Sequence, residues 1–288
     1  MVTVLTATYN RARILGALYG SLCAQTCQDF EWVIVDDGST DDTREIVGSF
    51  IKEGKIDIRY IRQENGGKHT AINCGVAEAK GEMLFIVDSD DTLSPDAIEW
   101  IKTTSSHILD DPSFGGISGR LYFPDGGSIG KGLEHGDIDA NAIDIRLKHV
   151  VTGDLAEVFK TSVLREFPFP VFAGERFVPE ALVWNRIAQR YKLRYTSKKI
   201  YCAEYLPDGL TAKIVRIRRE APMGSMTYYS ELRGYDIPFA QKVKASVNFW
   251  RFAPLRLYGK ARRMGMINFW SIMAWPLGVA MRLNDARR

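Results

Sequence analysis

The chain contains 288 residues, of which 45% are hydrophobic and 25% are charged. These proportions are typical of a folded soluble protein with a sizeable core, and no internal repeat or low-complexity stretch interrupts the sequence. The four cysteines form no Cys-x-x-Cys pair and have no accompanying histidine cluster, so we expect reduced thiols and no zinc site. No basic flank followed by an apolar run opens the chain, and no secretory signal is apparent.

Charge is distributed unevenly along the chain. The formal net charge is +3, yet Lys242–Arg288 contains ten Lys and Arg residues against a single acid, Asp285. That segment carries about +9, which leaves about −6 for the preceding residues. The body is therefore mildly acidic and the tail strongly basic, and we expect the tail alone to have an anionic partner.

The first hundred residues alternate between strand and helix patterns. The predicted strands are Val2–Thr8, Glu31–Val35, Ile56–Ile61 and Met83–Val87. Helices are predicted over Leu15–Ala24 and Thr70–Ala79, and two more open at a capping box formed by Asp42 and Glu45 and at Ser94-Pro95. Strands that alternate with helices imply right-handed crossovers and a parallel sheet, so the sequence predicts an α/β fold.

The remainder of the chain is less regular. Residues 115–177 are richer in Gly and Pro and are expected to add mixed strands and loops that build a second substrate pocket. Pro179 then opens a helix whose apolar residues recur at helical spacing: Ala181, Trp184, Ile187, Ala188 and Tyr191. Beyond Leu210 the composition becomes basic and aromatic.

A cluster of acids follows the fourth predicted strand. Asp88-Ser89-Asp90-Asp91 comes directly after an apolar run, which places its carboxylates at the carboxyl edge of the sheet, where open α/β sheets bind their ligands. Like charges so close repel one another unless a cation lies among them. Because hard cations choose oxygen ligands, we predict Mg²⁺ or Mn²⁺ here, bridging to substrate phosphates.

Polar motifs also follow the first three predicted strands. Thr6–Arg11 could hold a nucleotide with its amides and polar side chains, or could be a strand-end turn. Asp36–Ser39 offers an Asp for a base N–H or a ribose hydroxyl, or forms an Asp-Gly turn before a helix. Asn65–Asn73 contains two glycines and Lys68, a point charge suited to a diphosphate, without P-loop spacing. His69 is expected to be a local hydrogen-bonding residue.

Together, the four strand-end motifs resemble those of family 2-type glycosyltransferases of the GT-A fold. The resemblance covers Val2–Pro95, and the Asp-x-Asp element is Asp88-Ser89-Asp90. It implies a Rossmann-like, mostly parallel central sheet flanked by helices. It also implies the residues of the donor site, which are Thr8, Tyr9, Asn10, Arg11, Asp37, Lys68 and Asp88 for the nucleotide and Asp90, Asp88 and Asp91 for the metal.

The family also carries an acidic pair, Glu-Asp, at the start of a later helix, with Trp four residues on. In this chain the corresponding residues are Pro179, Glu180 and Trp184, so only one acid of the pair, Glu180, is present. Glu180 is the expected general base for an acceptor hydroxyl, and its place in the first helical turn favours the ionised state. The alternative role for Glu180 is that of an ordinary acid matching the helix dipole. Glu175 and Asp154 are alternative bases, or could orient the acceptor.

The resemblance implies a division of the chain and a reaction. We expect a catalytic GT-A domain over residues 1–212, with a nucleotide-binding half (1–95) and an acceptor half (96–212), and a helical C-terminal extension over 213–288. The implied reaction is a metal-dependent inverting transfer from a nucleotide-sugar, most simply a UDP-sugar, to a saccharide or lipid-linked saccharide in envelope polysaccharide synthesis. A sugar nucleotidyltransferase and a non-catalytic sugar-nucleotide or membrane-binding subunit are the alternatives. The sequence leaves the oligomeric state open.

The basic tail also contains aromatic and apolar segments. Met264–Met281 is a charge-free run of eighteen residues, at the short limit for crossing a bilayer, and includes Asn268, Ser271, Pro276 and Gly278. Trp and Phe beside Lys and Arg favour a segment that lies in the headgroup region of an anionic leaflet. Packing of this segment on the catalytic domain and spanning of the bilayer are the less favoured alternatives. No nucleic-acid motif is present. We therefore expect a cytoplasmic protein held peripherally on the inner membrane.

Overall fold

The computed structural model describes residues 1–134, 136–203 and 213–286. The chain divides into two compact units, the first comprising Met1–Phe169 with Arg186–Tyr205 and the second comprising Pro170–Asn185 with Leu206–Arg288. This division differs from the predicted boundary at residue 212, because the segment 170–185 joins the C-terminal helices. The first unit is termed the sheet unit below, and the second the helical unit.

A mixed β-sheet forms the centre of the sheet unit. Within the described residues its strands are β1 (Val2–Thr8), β2 (Phe30–Asp36), β3 (Asp57–Arg62), β4 (Met83–Ile86), β5 (Thr92–Leu93), β6 (Phe114–Tyr122), β7 (Ile138–Ala140), β8 (Leu155–Lys160) and β9 (Lys192–Cys202). Their order is β3-β2-β1-β4-β8-β6-β9-β5, with β7 beside β9. The first four strands are parallel, whereas β8, β5 and β7 are antiparallel to their neighbours. The α/β prediction is confirmed, and the mixed strands expected after residue 115 correspond to β6, β7 and β8, whereas β5 and β9 lie outside that region.

Helices cover both faces of the parallel strands. The helices of this unit are α1 (Leu15–Cys23), α2 (Thr43–Glu53), α3 (Lys68–Glu78), α4 (Ala97–Ser106), α5 (Asp144–Leu147) and α6 (Thr161–Glu166). Trp32 of β2 stacks with Tyr19 of α1 and Phe50 of α2, whereas Leu5 of β1 lies against Gly75 of α3. Because both faces are covered, β1 and β2 are almost entirely buried, as their continuous apolar runs indicate.

Of two predicted helix starts, the one at Asp42 is confirmed without its capping bond, and the one at Ser94-Pro95 is wrong. Asp42 occupies the N-cap position of α2 but makes no capping hydrogen bond, and the Thr43 N–H instead donates to Asp41 Oδ1 at 3.1 Å. The helix expected to open at Ser94-Pro95 begins at Ala97, because the Ser94 hydroxyl donates to the Asp96 carboxylate and turns the chain first. Short polar side chains that bond to nearby backbone or to one another compete with the helix in this way.

The helical unit packs around its own apolar core. Its helices in the described part of the chain are α7 (Glu180–Ile187, which continues into the sheet unit), α8 (Ile214–Glu220), α9 (Pro222–Leu232), α10 (Phe239–Phe252), α11 (Tyr258–Arg263) and α12 (Phe269–Ala286). Met226, Phe249 and Trp250 lie at its centre. Among the described helices, none combines the length and the apolar character needed to span a bilayer.

The close pairing of β6 with β8 generates a stability prediction. A Cβ added at Gly116 would lie 2.1 Å from the Val158 backbone oxygen, and a paired strand cannot move away without losing its hydrogen bonds. We expect Gly116→Ala to lower the free energy of unfolding by about 1–3 kcal/mol, measured by urea denaturation. Gly48→Ala is the control, because open space surrounds Gly48 inside α2 and Ala should stabilise the protein by about 0.5–1 kcal/mol. Equal stability of Gly116→Ala and wild type would contradict the strand geometry.

Candidate functional site

The strand ends that carry the sequence motifs lie at one edge of the sheet. β1 pairs in parallel with both β2 and β4, and its residues Thr8 and Leu5 lie opposite Asp36 and Ile86. Parallel neighbours end at the same edge, so the loops that follow the three strands are brought together. This edge is the candidate donor site of the sheet unit.

Hydrogen bonds join the loop after β1 to the loop after β2. The Asn10 N–H donates to Ser39 Oγ at 2.9 Å, and the Thr40 N–H donates to Asn10 Oδ1 at 2.8 Å. The Arg11 N–H donates to Thr43 Oγ1 at 3.2 Å. Asn10 has a positive φ of 53°, a backbone conformation that asparagine tolerates better than most residues. Asn10 is therefore a structural tie between the two loops.

Thr8 and Tyr9 differ sharply in their surroundings. The Thr8 hydroxyl is buried and has no hydrogen-bond partner among the residues that the structure describes. The Tyr9 side chain is 45% exposed. A buried hydroxyl without a partner is uncommon in folded proteins, and at a sheet edge it can serve a bound ligand.

Asp37 binds the glycine loop that precedes α3. Its Oδ1 accepts from Gln63 Nε2 at 2.7 Å and from the Gly66 N–H at 2.9 Å, and its Oδ2 accepts from the Gly67 N–H at 2.7 Å. The residue is 3% exposed. These bonds fix the turn at Gly67, whose φ is 96°, and so fix where Lys68 enters the first turn of α3.

A groove of about 450 Å³ opens beside this turn. Its lining residues are Gly38, Arg62, Gln63, Glu64 and Asn65. Gly38 follows β2 and the other four residues lie at or just after the end of β3, so the groove lies at the same edge as the strand-end loops. Its size and mixed lining suit a planar polar group such as a nucleobase.

The four residues after Val87 place three carboxylates together. One oxygen each of Asp88, Asp90 and Asp91 lies within 4.8 Å of the others. Lys68 Nζ forms an ion pair with Asp88 Oδ1 at 2.5 Å. Clustered carboxylate oxygens are the donors that Mg²⁺ and Mn²⁺ prefer, so the residues present fit the predicted divalent cation. The structure thus brings together Lys68 and the acids that the sequence singled out.

Sequence reasoning missed Tyr201, which contacts this cluster from β9. Its hydroxyl accepts the Asp88 N–H at 2.9 Å and donates to Asp91 Oδ2 at 2.7 Å. The side chain is buried, and burial raises its pKa well above the ordinary tyrosine value. It therefore stays protonated and remains a donor. No local motif around Tyr201 signals this role.

His69 does not make the local hydrogen bonds expected from the sequence. The residue is 2% exposed, and neither ring nitrogen has a hydrogen-bond partner within the described ranges. Burial lowers the pKa of its imidazole, opposed in part by the charge of Asp37. The ring is therefore neutral at physiological pH and contributes to the interior packing of α3.

The three candidate bases occupy different places. Asp154 precedes β8 in the sheet unit and is exposed, next to a loop in which the Lys131 N–H donates to Thr152 Oγ1. Glu175 lies in the helical unit, where its two oxygens accept the backbone N–H groups of Met223 and Gly224 at 2.7 and 2.9 Å. These bonds lie at the N-terminus of α9, and burial nevertheless raises the pKa of the Glu175 carboxyl. Glu175 is thus committed to anchoring the segment 170–185 on α9.

Glu180 is the first residue of α7, in the turn where the sequence placed it. Its side chain is partly buried. Its position in the first turn of α7 therefore agrees with the sequence prediction, and Glu180 stays the proposed base.

The three bonds to Asp37 generate a second prediction. In Asp37→Asn the side chain keeps its shape, but its amide nitrogen cannot accept one of the loop N–H groups. We expect a loss of about 1–3 kcal/mol in the free energy of unfolding, because a buried donor is left unsatisfied. Asp42→Asn is the control, since the exposed Asp42 side chain makes no capping bond, and its effect should stay within about 0.5 kcal/mol. Equal effects of the two substitutions in urea denaturation would show that Asp37 does not hold the loop.

Comparison with known proteins shows which family the first third of the chain resembles. A sequence model described as Glycosyl transferase family 2 matches residues 3–102. An uncharacterized glycosyltransferase of Nostoc sp. is 39% identical over 100 residues, which cover 35% of this chain and 31% of that protein. The matched part thus spans about a third of the length of the curated relatives.

Solved structures share the fold. Staphylococcus aureus TarS in complex with UDP-GlcNAc has a TM-score of 0.60 at 19% identity, covering 96% of this chain and 79% of that chain. The mannosyltransferase PcManGT from Pyrobaculum calidifontis, in complex with GDP-Man and Mn²⁺, has a TM-score of 0.58 at 17% identity, covering 99% and 87%. Residues 3–102 are therefore similar in sequence to glycosyl transferase family 2, and the chain shares its α/β fold with these two glycosyltransferase structures.

Proposed function

We propose that this protein is a metal-dependent inverting glycosyltransferase. It moves a sugar from a nucleotide-sugar donor to a hydroxyl of a saccharide or lipid-linked saccharide acceptor. The observation that carries the proposal is the acidic cluster of Asp88, Asp90 and Asp91 at the sheet edge of a family 2 domain. A nucleoside diphosphate is anionic, and only a cation can hold it against three carboxylates.

The donor is a nucleotide-sugar, and a UDP-sugar is favoured. TarS has been solved with UDP-GlcNAc and PcManGT with GDP-Man, which supports this donor class. The groove beside Gly38 receives the base, with the Thr8 hydroxyl, Tyr9 and Arg11 at the adjoining strand end. Asp37 contributes to nucleoside binding by holding the glycine loop, because three N–H groups already occupy its oxygens.

The chemistry is shared between charge stabilisation and proton transfer. A divalent cation bound by Asp88, Asp90 and Asp91 would act as a Lewis acid on the diphosphate leaving group. Lys68, at the start of α3, adds positive charge for the same oxygens as they become more negative. Glu180 accepts the proton of the acceptor hydroxyl as that oxygen attacks the anomeric carbon from the face opposite the diphosphate, which inverts the configuration.

The donor proposal predicts metal-dependent binding. UDP-, GDP- and dTDP-sugars are compared by thermal shift and donor hydrolysis, with and without Mn²⁺. We expect one donor class to raise the melting temperature of the wild type by several degrees only when Mn²⁺ is present. Asp90→Asn should abolish this shift, since it removes a charged ligand, whereas Asp110→Asn at an exposed position should keep it.

Other outcomes of this experiment support the alternative functions. Consumption of a nucleoside triphosphate with release of pyrophosphate would identify a sugar nucleotidyltransferase. Nucleotide binding without turnover on any donor and acceptor pair would identify a non-catalytic binding subunit. A wild type that binds no donor under any metal condition would contradict the proposed function.

The acceptor proposal rests on the outward face of α12. Residues on one side of this helix are buried against α10, including Ser271 and Gly278. The opposite side exposes large apolar side chains, which are Phe269, Trp270, Ile272, Met273, Trp275, Leu277 and Leu283. A helix of a soluble protein normally presents polar residues to water, so this face fits an apolar partner.

Basic residues lie just before this face. Arg256, Lys260, Arg262 and Arg263 are exposed in the segment that leads to α12. Aromatic residues beside a basic cluster suit the headgroup region of an anionic leaflet. We therefore place the enzyme peripherally on the cytoplasmic face of the inner membrane, with a lipid-linked saccharide of envelope polysaccharide synthesis as its acceptor.

The membrane proposal predicts vesicle binding that depends on the apolar face. The double substitution Ile272→Ser and Met273→Ser should weaken sedimentation with phosphatidylglycerol vesicles about tenfold or more, because two apolar side chains no longer leave water. Ile51→Ser, at an exposed position on α2, should bind like wild type. Wild type that ignores these vesicles would contradict the membrane role. A wild-type dimer broken by the double substitution would instead identify the face as a protein interface.

A further inference from the structure

One phenolic hydroxyl is bonded to two members of the acidic cluster. The Asp88 N–H donates to Tyr201 Oη at 2.9 Å, and Tyr201 Oη donates to Asp91 Oδ2 at 2.7 Å. A backbone N–H can only donate, so it must use a lone pair of the phenolic oxygen. The single phenolic hydrogen is then directed to Asp91. The Tyr201 hydroxyl therefore has only one orientation that makes both hydrogen bonds.

The sheet itself brings Tyr201 to this place. The two residues of β5 follow the acidic cluster directly and pair with β9, so that Leu93 lies opposite Tyr201 and Thr92 opposite Cys202. The Tyr201 ring also packs edge-on against Phe85 of β4, with ring centroids 5.8 Å apart. Strand pairing and ring packing therefore fix the phenol before any ligand arrives.

The fixed Tyr201 hydroxyl counteracts the repulsion among the carboxylates of the acidic cluster. Three carboxylates confined to four residues repel one another, and without support the loop would spread and would have to be gathered again when a cation binds. Lys68 offsets the charge of Asp88 from α3. The Tyr201 hydroxyl holds both the backbone at Asp88 and the carboxylate of Asp91 in place. Less conformational entropy is then lost when a cation binds to the cluster.

We propose that Tyr201 is a positioning residue that presets Asp88 and Asp91 to receive a divalent cation together with a nucleoside diphosphate. This role rests on the proposed function, since it assumes that the cluster binds such a cation. Tyr201 acts through the two aspartates and touches neither the sugar nor the acceptor. Its contribution is therefore to cation affinity rather than to the chemical step.

The test compares two buried tyrosines of the same strand. Tyr201→Phe removes the bridging hydroxyl and keeps the ring. Tyr195→Phe is the matched control, because Tyr195 is buried in β9 and its hydroxyl has no hydrogen-bond partner in the described part of the chain. Mn²⁺ binding to the full-length protein is titrated by electron paramagnetic resonance in the presence of UDP, and the thermal melting of the metal-free protein is recorded in the same buffer.

We expect Tyr201→Phe to weaken Mn²⁺ binding 10- to 100-fold, the range typical for partners that hold metal-binding carboxylates. Tyr195→Phe should bind within twofold of wild type. Equal affinity of Tyr201→Phe and wild type would overturn the positioning role alone. Absence of Mn²⁺ binding by wild type would overturn the metal-dependent function and the positioning role with it.

A measurement on wild type keeps the proposal testable if Tyr201→Phe fails to fold. The Asp88 amide hydrogen should exchange slowly with solvent in the metal-free protein, because it already donates to Tyr201, and addition of Mg²⁺ with UDP should change its protection little. Fast exchange in the metal-free protein, followed by protection only after Mg²⁺ and UDP are added, would show that the cluster is not preset and would overturn the proposal.

Discussion

The parallel pairing of β1 with β2 and β4 is the constraint on which the candidate donor site depends. It places the residues after Thr8, Asp36 and Ile86 at one edge, although they are far apart along the chain. A slip of one residue in this register would turn every side chain of the strand to the opposite face. Helices cover both faces of these strands, so such a slip would bury polar groups, and the packing of the interior thereby determines the geometry of the edge.

Four acidic residues, three near this edge and one in the helical unit, differ in the groups that they bind. Asp37 and Glu175 accept backbone N–H groups, and their charge stabilises a glycine loop and a helix N-terminus. Asp88 and Asp91 instead meet the side chains of Lys68 and Tyr201 and lie close to Asp90. Carboxylates of the first kind build the scaffold. Those of the second kind belong to the cluster that we propose binds a cation.

The sequence predicted much of the sheet edge, for reasons that are local. Apolar runs such as Met83–Val87 mark buried parallel strands, and the polar residues after them mark their carboxyl ends. Helix starts were harder to predict, because Asp41, Asp42 and Asp96 are all plausible caps and the choice depends on which side chain reaches which amide. The expectation for His69 was wrong since its burial arises from the tertiary packing of α3.

Other parts of the site depend on contacts between distant residues. Tyr201 lies 110 positions after Asp91, and it reaches the cluster through a two-residue strand and a β6–β9 pairing with several register shifts. No pattern in the surrounding residues encodes that geometry. The position of Glu175 could not be predicted from the sequence either. The groups that it binds are backbone amides of α9, which any sequence would supply.

The position of the outward face of α12 depends on the absence of a side chain at Gly278. A Cβ at this position would lie 2.5 Å from Trp250 Cβ and 2.6 Å from the Val247 backbone oxygen, so any side chain forces α12 away from α10. The same displacement would strain the bidentate ion pair of Arg251 with Asp285, made at 2.6 and 2.9 Å. A one-carbon substitution between two packed helices would therefore move the exposed apolar face of α12 without changing any residue of that face.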